Sequence, residues 1–323
     1  MSNFLMKNID ILALYKLLAP AYGFPVDAIP SLLVEGIDND FYKIQIEESI
    51  ILIRVSKRDM SDAIYYEIEL LDKLGKTEVK VPKIVKTRNL EFFFNTGSII
   101  ITCFEYIQHK EWLHDADHKP YLSVVDEAGF TLGKLHAATL ELHLKHKSNK
   151  TIYSEIERVF NLDHFIQKTY EGGSEFLSEL RVYYDFAKKN EDKTLRGVIH
   201  NDYAPNNLLF LNNKLQAIID FNWSCSGPFI KDLGLALALW SLPDNLDAHW
   251  NDVFESFLSS YNKSAPEIIE NSQYLYRWIC FSCLYDASTF FADLGYENGN
   301  INRINQNRRY KKFKYFQQFF GLI

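Results

Sequence analysis

Hydrophobic and polar positions follow two regimes along the chain. Residues 3–18 place Leu5, Ile9, Leu12, Tyr15 and Leu18 near a helical period, and Pro20 is expected to end that helix. A turn-rich stretch to Pro30 leads into short runs at 31–35, 41–46 and 50–55; the second alternates, and the third has the β-branched density of a central strand. Together they predict an antiparallel meander. Residues 60–75 return to helical spacing through Ile64, Tyr65, Ile68, Leu71 and Leu74, with Gly75 at the expected C-cap. An extended segment from Val81-Pro82 and a buried strand over 98–107 complete a small α+β unit, residues 1–104.

From Tyr121 the pattern becomes long and helical, at 121–145, 152–168 and 174–189, then at 231–241, 247–261, 266–292 and 302–320. Residues 105–323 therefore read as a larger, mostly helical unit, joined to the first by a short hinge near 105–110. The expected fold class is α+β and bilobal, with a small antiparallel sheet and one main helix in the N-terminal part. No repeat or low-complexity tract interrupts it.

The helical region is broken once, at 197–234, where apolar runs of strand length are interrupted by His200-Asn201-Asp202, Asn206-Asn207, Asp220 and Asp232. A loop, a strand, an Asn-Asn turn and a second strand are expected between Asp202 and Asp220, which brings Asn207 and Asp220 together across the hairpin. So few hard oxygen ligands suit magnesium shared with substrate phosphates, since magnesium rarely takes an all-protein cage. Asp202, outside that pair, is left to meet an incoming hydroxyl.

His200-x-Asp202-x-x-x-x-Asn207 followed by Ile-Asp220-Phe resembles the catalytic and metal-binding loops of kinase-like small-molecule phosphotransferases, which include aminoglycoside phosphotransferases, choline kinase and the kinase-fold homoserine kinases. The resemblance implies ATP and Mg2+ as cofactors, Asp202 and His200 as catalytic residues, and Asn207 and Asp220 as metal ligands. It implies that Asp232 ties the helical part to the catalytic loop, although Asp232 also suits the N-cap of the helix that follows. The stretch 36–41 is similar to the nucleotide loop, with Asp38 and Asn39 as cofactor-binding candidates. Arg54 falls where the family places its phosphate-contacting base, and Glu67 resembles the helix acid that pairs with it. An ordinary strand-end role for Arg54, and Glu69 as the acid instead, stay open. Phe104–Ile107 resembles the hinge that offers backbone groups to adenine, which implicates Glu105 and Ile107, and Leu132-Gly-Lys-Leu-His136 resembles the L-x-x-L-H of the first long helix. Asn201 stands where the family usually has Gly; Asn tolerates a left-handed backbone better than other non-Gly residues.

Composition narrows the function classes. Of 323 residues, 47% are hydrophobic, and 35 Lys+Arg against 42 Asp+Glu give a net charge of -7, which argues against nucleic acid as the main partner. No segment reaches membrane-spanning length, and four cysteines in so long a chain make no disulfide framework. With no charged-then-apolar leader in view, a cytoplasmic location is expected. The partners that the resemblance implies are a nucleotide and a small hydroxyl-bearing substrate, and because 218–228 and 233–240 resemble the kinase-fold homoserine kinases, an amino alcohol or amino acid such as homoserine is expected. Tyr285, Asp286, Phe290, Asp293 and Glu297 offer charge and aromatic faces for an ammonium group, or else plain core and surface. Cys280-x-x-Cys283 reads as packing, and the basic run Arg308–Lys314 as an edge helix. The competing function is a nucleotide-binding regulatory protein or a protein kinase. The short span from Asp220 to Asp232 lacks the length of a protein-kinase activation segment.

Overall fold

The computed structural model describes residues 10–35, 39–56, 61–97, 99–110, 114, 119–243, 246, 249–293 and 303–322. The chain divides into two compact units. One comprises Met1–His109, Leu144–Lys147 and Gln216–Ile219, the other Lys110–His143, Ser148–Leu215 and Asp220–Ile323. The first unit also gathers two short segments from later in the chain.

The first unit begins with α1 (Ile11–Tyr22). Asp10 caps it, its carboxylate accepting from the backbone N–H groups of Leu12 and Ala13 at 3.1 Å each. Pro20 does not end the helix as expected. It sits in the last turn, where the carbonyl of exposed Lys16 can turn to solvent, and Gly23 at φ 77° closes the helix instead. There follow β1 (Ser31–Glu35), β2 (Asn39–Ile46), β3 (Ser49–Ser56), α2 (Ser61–Leu74), β4 (Ile84–Val85), β5 (Phe94–Asn95) and β6 (Ile100–Glu105). They form an antiparallel sheet of order β1-β2-β3-β6-β4, with β5 also on β6. Tyr15 and Leu18 of α1 pack on Ile44, Ile53, Val55 and Ile101 to make its core. The strand expected to be central by its β-branched density is central.

The second unit contains α3 (Leu122–Thr139), α4 (Ser154–Asn161), α5 (Asp163–Thr169), α6 (Gly173–Asn190), β7 (Arg196–Ile199), β8 (Leu208–Leu211), β9 (Lys214–Ile218), β10 (Cys225–Pro228), α7 (Phe229–Ser241), α8 (Asn251–Asn262), α9 (Gln273–Ala292) and α10 (Arg308–Phe319). β9 runs on into the segment Gln216–Ile219 that belongs to the first unit. The helix expected over 152–168 is two helices, since Leu162 leaves helical geometry at φ -108°, ψ 13° and α5 restarts at Asp163. The one expected to reach 145 stops at Thr139. Within the first unit, the backbone N–H groups of Lys145 and His146 donate to the Glu69 carboxylate at 2.9–3.0 Å, so they are not available to a helix. Trp240, Trp278, Tyr203, Tyr261 and Phe257 are fully buried and fill the helical core.

Candidate active site

β7 and β10 pair antiparallel, with Ile199 opposite Cys225 and Gly197 opposite Gly227. Gly197 has no room for a side chain: a Cβ there would lie 2.5 Å from the Thr139 carbonyl oxygen and 2.7 Å from the Phe229 ring. This close approach delivers the chain end at His200 into the base of α7. There the buried carboxylate of Asp232 accepts from the backbone N–H of His200 at 2.9 Å and of Asn201 at 2.7 Å. His136 of α3 completes the arrangement, its Nε2 lying 3.1 Å from Asp232 Oδ2 and its Nδ1 2.9 Å from the Tyr261 hydroxyl. Asp232 is therefore a tie between α7, α3 and the loop; the helix N-cap is Pro228. Burial would raise its carboxyl, but the hydrogen bond from His136 and the charges of His136, His200 and Lys231 hold it below the ordinary carboxylate range.

The loop turns at Asn201, whose φ of 66° is left-handed. Its side chain, unlike the Gly the family usually carries, makes contacts. Nδ2 donates to the Trp223 carbonyl and to the Tyr285 hydroxyl, both at 3.1 Å, and Oδ1 accepts from Nζ of Lys231. Lys231 is fully buried and its ammonium lies 4.3 Å from the centroid of the Tyr285 ring. These contacts were not anticipated. Lys231 beside Asp232 at the head of the otherwise apolar run 229–240 was the available signal.

His200 is buried, its ring beside Phe221 at 4.7 Å, and its Nδ1 accepts from the backbone N–H of Asp202 at 3.3 Å. The Asp202 carboxylate is gripped by Asn207, whose Nδ2 donates to Asp202 Oδ2 and to its backbone carbonyl, both at 2.8 Å. Those bonds turn Asn207 Oδ1 away from Asp202. Asn212 and Asn213 make the turn between β8 and β9 with φ of 52° and 58°, and beyond β9 Asp220, also left-handed at φ 62°, holds an exposed carboxylate with no hydrogen bond or ion pair to the described residues. Desolvation, then the charges of Asp286 and Asp220, push the Asp202 carboxyl up to about 7, against the hydrogen bond from Asn207.

Asp202 opens onto two cavities within the second unit. One, of about 240 Å³, is walled by Asn201, Trp223, Tyr285, Phe290, Asp286 and Arg309. The other, of about 650 Å³, shares Asp202, Asp286 and Arg309 and adds Trp240, Arg308 and Lys312. Of the residues expected to receive an ammonium group, Tyr285, Asp286, Phe290 and Asp293 line the first cavity, and Glu297 lies outside the described residues. The edge-helix reading of the basic run misses that α10 turns Arg308, Arg309 and Lys312 toward these cavities. Cys280 and Cys283 are buried free thiols, in keeping with packing.

In the first unit, Nη1 of Arg54 donates to both oxygens of Glu67, at 2.9 and 2.7 Å, and both side chains are buried. Glu67 rather than Glu69 is the partner, because β3 places Arg54 opposite Thr102 in mid-sheet while Glu69 binds the 145–146 backbone. Among the described residues, Nε and Nη2 of Arg54 are buried without a hydrogen-bond partner. An orphaned guanidinium edge of this kind fits phosphate oxygens. Asn39 Oδ1 accepts from the Ser56 hydroxyl at 2.9 Å, and Asp38 lies outside the described residues. The backbone N–H of Glu105 donates to the Lys83 carbonyl at 2.9 Å, and the Ile107 carbonyl lies 2.9 Å from His109 Nδ1.

One unit of antiparallel sheet with helices α1 and α2 and a buried base–acid pair, and a second, helical unit with the His200, Asp202, Asn207 and Asp220 loops, are the parts of the kinase-like phosphotransferase class. The chain belongs to the phosphotransferase enzyme family (APH), which residues 31–266 match. It is 24% identical over 213 residues to a homoserine kinase of Brucella ovis, an alignment covering 64% of this chain and 62% of that kinase's length. Its fold is similar to that of a microcompartment-associated aminopropanol kinase (TM-score 0.65, 16% identity, 94% of each chain). It is also similar to that of an amicoumacin kinase solved with AMP-PNP, Ca2+ and amicoumacin (TM-score 0.70, 14% identity, 96% of this chain and 94% of that one). Among the described residues no helix is long and apolar enough to cross a membrane.

Proposed function

We propose that this protein transfers the γ-phosphoryl group of ATP, with Mg2+, to a hydroxyl of a small molecule, an amino alcohol or amino acid such as homoserine. The observation that carries this reading is the Asp202 carboxylate, oriented by Asn207 and opening onto a cavity of about 240 Å³. With the adjoining cavity of about 650 Å³, which Asp202 also lines, the site has room for a small-molecule acceptor.

Asp202 accepts the proton of the acceptor hydroxyl as its oxygen forms the new bond to phosphorus; the bond from phosphorus to the bridging oxygen breaks, and ADP leaves with that electron pair. His200 and Asp232 hold the loop that carries Asp202. We assign Asn207 Oδ1, which also accepts from Nδ2 of Asn206 at 3.3 Å, and the Asp220 carboxylate as the oxygens that would hold a metal, and two such ligands suit magnesium, which rarely takes an all-protein cage. When bound, that ion neutralises charge on the phosphates. In the other unit we assign the orphaned Nε–Nη2 edge of Arg54 to nucleotide phosphate, with Glu67 fixing its orientation, and Asp38, Asn39, Glu105 and Ile107 to the rest of the nucleotide.

An ADP-release assay with homoserine, choline, hydroxylysine, methylthioribose and aminoglycosides tests the reading. Magnesium-dependent ADP formation that requires one of these acceptors and falls by at least about 100-fold in Asp202→Ala is expected. ATP turnover that ignores every acceptor, or that is undiminished in Asp202→Ala, removes it.

A further inference from the structure

The two cavities at Asp202 sort charge, and Arg309 stands at both. The smaller is aromatic and acidic: Trp223, Tyr285 and Phe290 with Asp286 and Asp293. Asp293 lies 2.5 Å from Arg158, and Asp286, the foremost charge acting on Asp202, is paired only with one end of Arg309 among the described residues, at 3.3 Å. The larger cavity receives Arg308, Arg309 and Lys312 from α10.

Arg309 is fixed by one end. Its Nη1 donates to the Asp286 carbonyl at 3.2 Å and to the Thr289 hydroxyl, and lies 3.3 Å from Asp286 Oδ1. Among the described residues the guanidinium makes no other hydrogen bond or ion pair, so the Nε–Nη2 edge is presented outward in the planar fork that matches a carboxylate. A cation alone beside Asp286 would also sit beside Arg309, and an anion alone at Arg309 would face Asp202 and Asp286. A ligand carrying one charge of each sign satisfies both.

Resting on the phosphotransferase reading, we propose that the acceptor is zwitterionic, a hydroxy amino acid whose ammonium group is received by Asp286 and the aromatic wall and whose carboxylate is received by the free edge of Arg309. Arg309 is then the residue that separates amino acids from amino alcohols, which share the hydroxyl and the ammonium group.

Three acceptors test this on the full chain with ATP and Mg2+: L-homoserine, 3-aminopropan-1-ol, which lacks only the carboxylate, and 4-hydroxybutanoate, which lacks only the ammonium group. The kcat/KM for homoserine is expected to exceed that of each single-charge analogue by at least about tenfold. Arg309→Gln should lower kcat/KM for homoserine by about 100-fold, while that for 3-aminopropan-1-ol does not fall, because its ammonium group no longer sits beside the Arg309 cation; Arg309→Lys should recover part of the loss for homoserine. Equal use of homoserine and 3-aminopropan-1-ol overturns the proposal, as does a loss in Arg309→Gln shared by both, which is the mark of a merely structural tie between α9 and α10. If Arg309→Gln does not fold, Arg309→Lys and the wild-type ranking decide. Phosphorylation only of hydroxyl compounds that lack the carboxylate or the ammonium group refutes the zwitterion and leaves the phosphotransferase standing; no transfer to any acceptor refutes both.

Discussion

Nζ of Lys231, buried at the start of α7, donates to Oδ1 of Asn201, so the residue between His200 and Asp202 is held through its side chain as well as its backbone. Because Asn201 is left-handed, the two functions can be separated by substitution. Asn201→Gly keeps the backbone conformation and leaves Lys231 without its acceptor, a cost of about 1–3 kcal/mol. Asn201→Ala adds about 1–2 kcal/mol of left-handed strain. Urea denaturation should rank the wild type above Gly and Gly above Ala. In the Asn201→Gly/Lys231→Met pair, the second change should restore stability that the first removed; strict additivity would show that the contact does not couple them.

Asp202→Ala is expected to lower turnover by about 10²–10⁴-fold, because general-base assistance is lost. The denaturation midpoint should hold steady or rise, since Asp202 is pushed up by burial and by like charges from Asp286 and Asp220. A clear drop in stability would recast Asp202 as structural.

Arg54 and Glu67 form a buried pair, so Glu67→Ala strands a cation and should cost about 3–5 kcal/mol. Arg54→Met strands the buried Glu67 carboxylate in turn, so it should also destabilise the fold, and it removes the phosphate clamp. Its signature is a raised KM for ATP at unchanged acceptor KM, measured by varying each substrate in turn.

Asp232 predicts a pH dependence of stability. Its folded carboxyl lies below the unfolded value of about 3.9, so the stabilisation is complete above that value and is lost as pH falls through the lower, folded one. Urea midpoints should therefore drop on acidification below about pH 4, and the Asp232→Asn variant should show a shallower drop from a lower starting stability. Parallel curves for the two proteins would place the acid sensitivity elsewhere.

The strands and the order of the loops could be read directly, because alternation and turn residues act over neighbouring positions. α1 and α3 were mis-bounded for reasons local patterning does not carry. Pro20 is harmless where its missing N–H leaves an exposed carbonyl, and Lys145 and His146 give their N–H groups to Glu69, far away in sequence. The choice between Glu67 and Glu69 as partner of Arg54 was open for the same reason. Both acids sit on α2, and only sheet packing decides which one faces Arg54.

The candidate chemistry divides along the same line. The sequence by itself determined which residue types stand at His200, Asp202, Asn207 and Asp220, since a loop, a strand, a turn and a strand constrain them through short-range geometry. The tertiary structure alone decided that Asn201 is anchored by Lys231 and Tyr285, and that Arg309 of the last helix shares a cavity wall with Asp202. Those neighbours come from helices far apart in the chain, and they meet because the apolar faces of α7, α9 and α10 bury one another, a packing constraint with no signature at the positions of the charged residues it brings together.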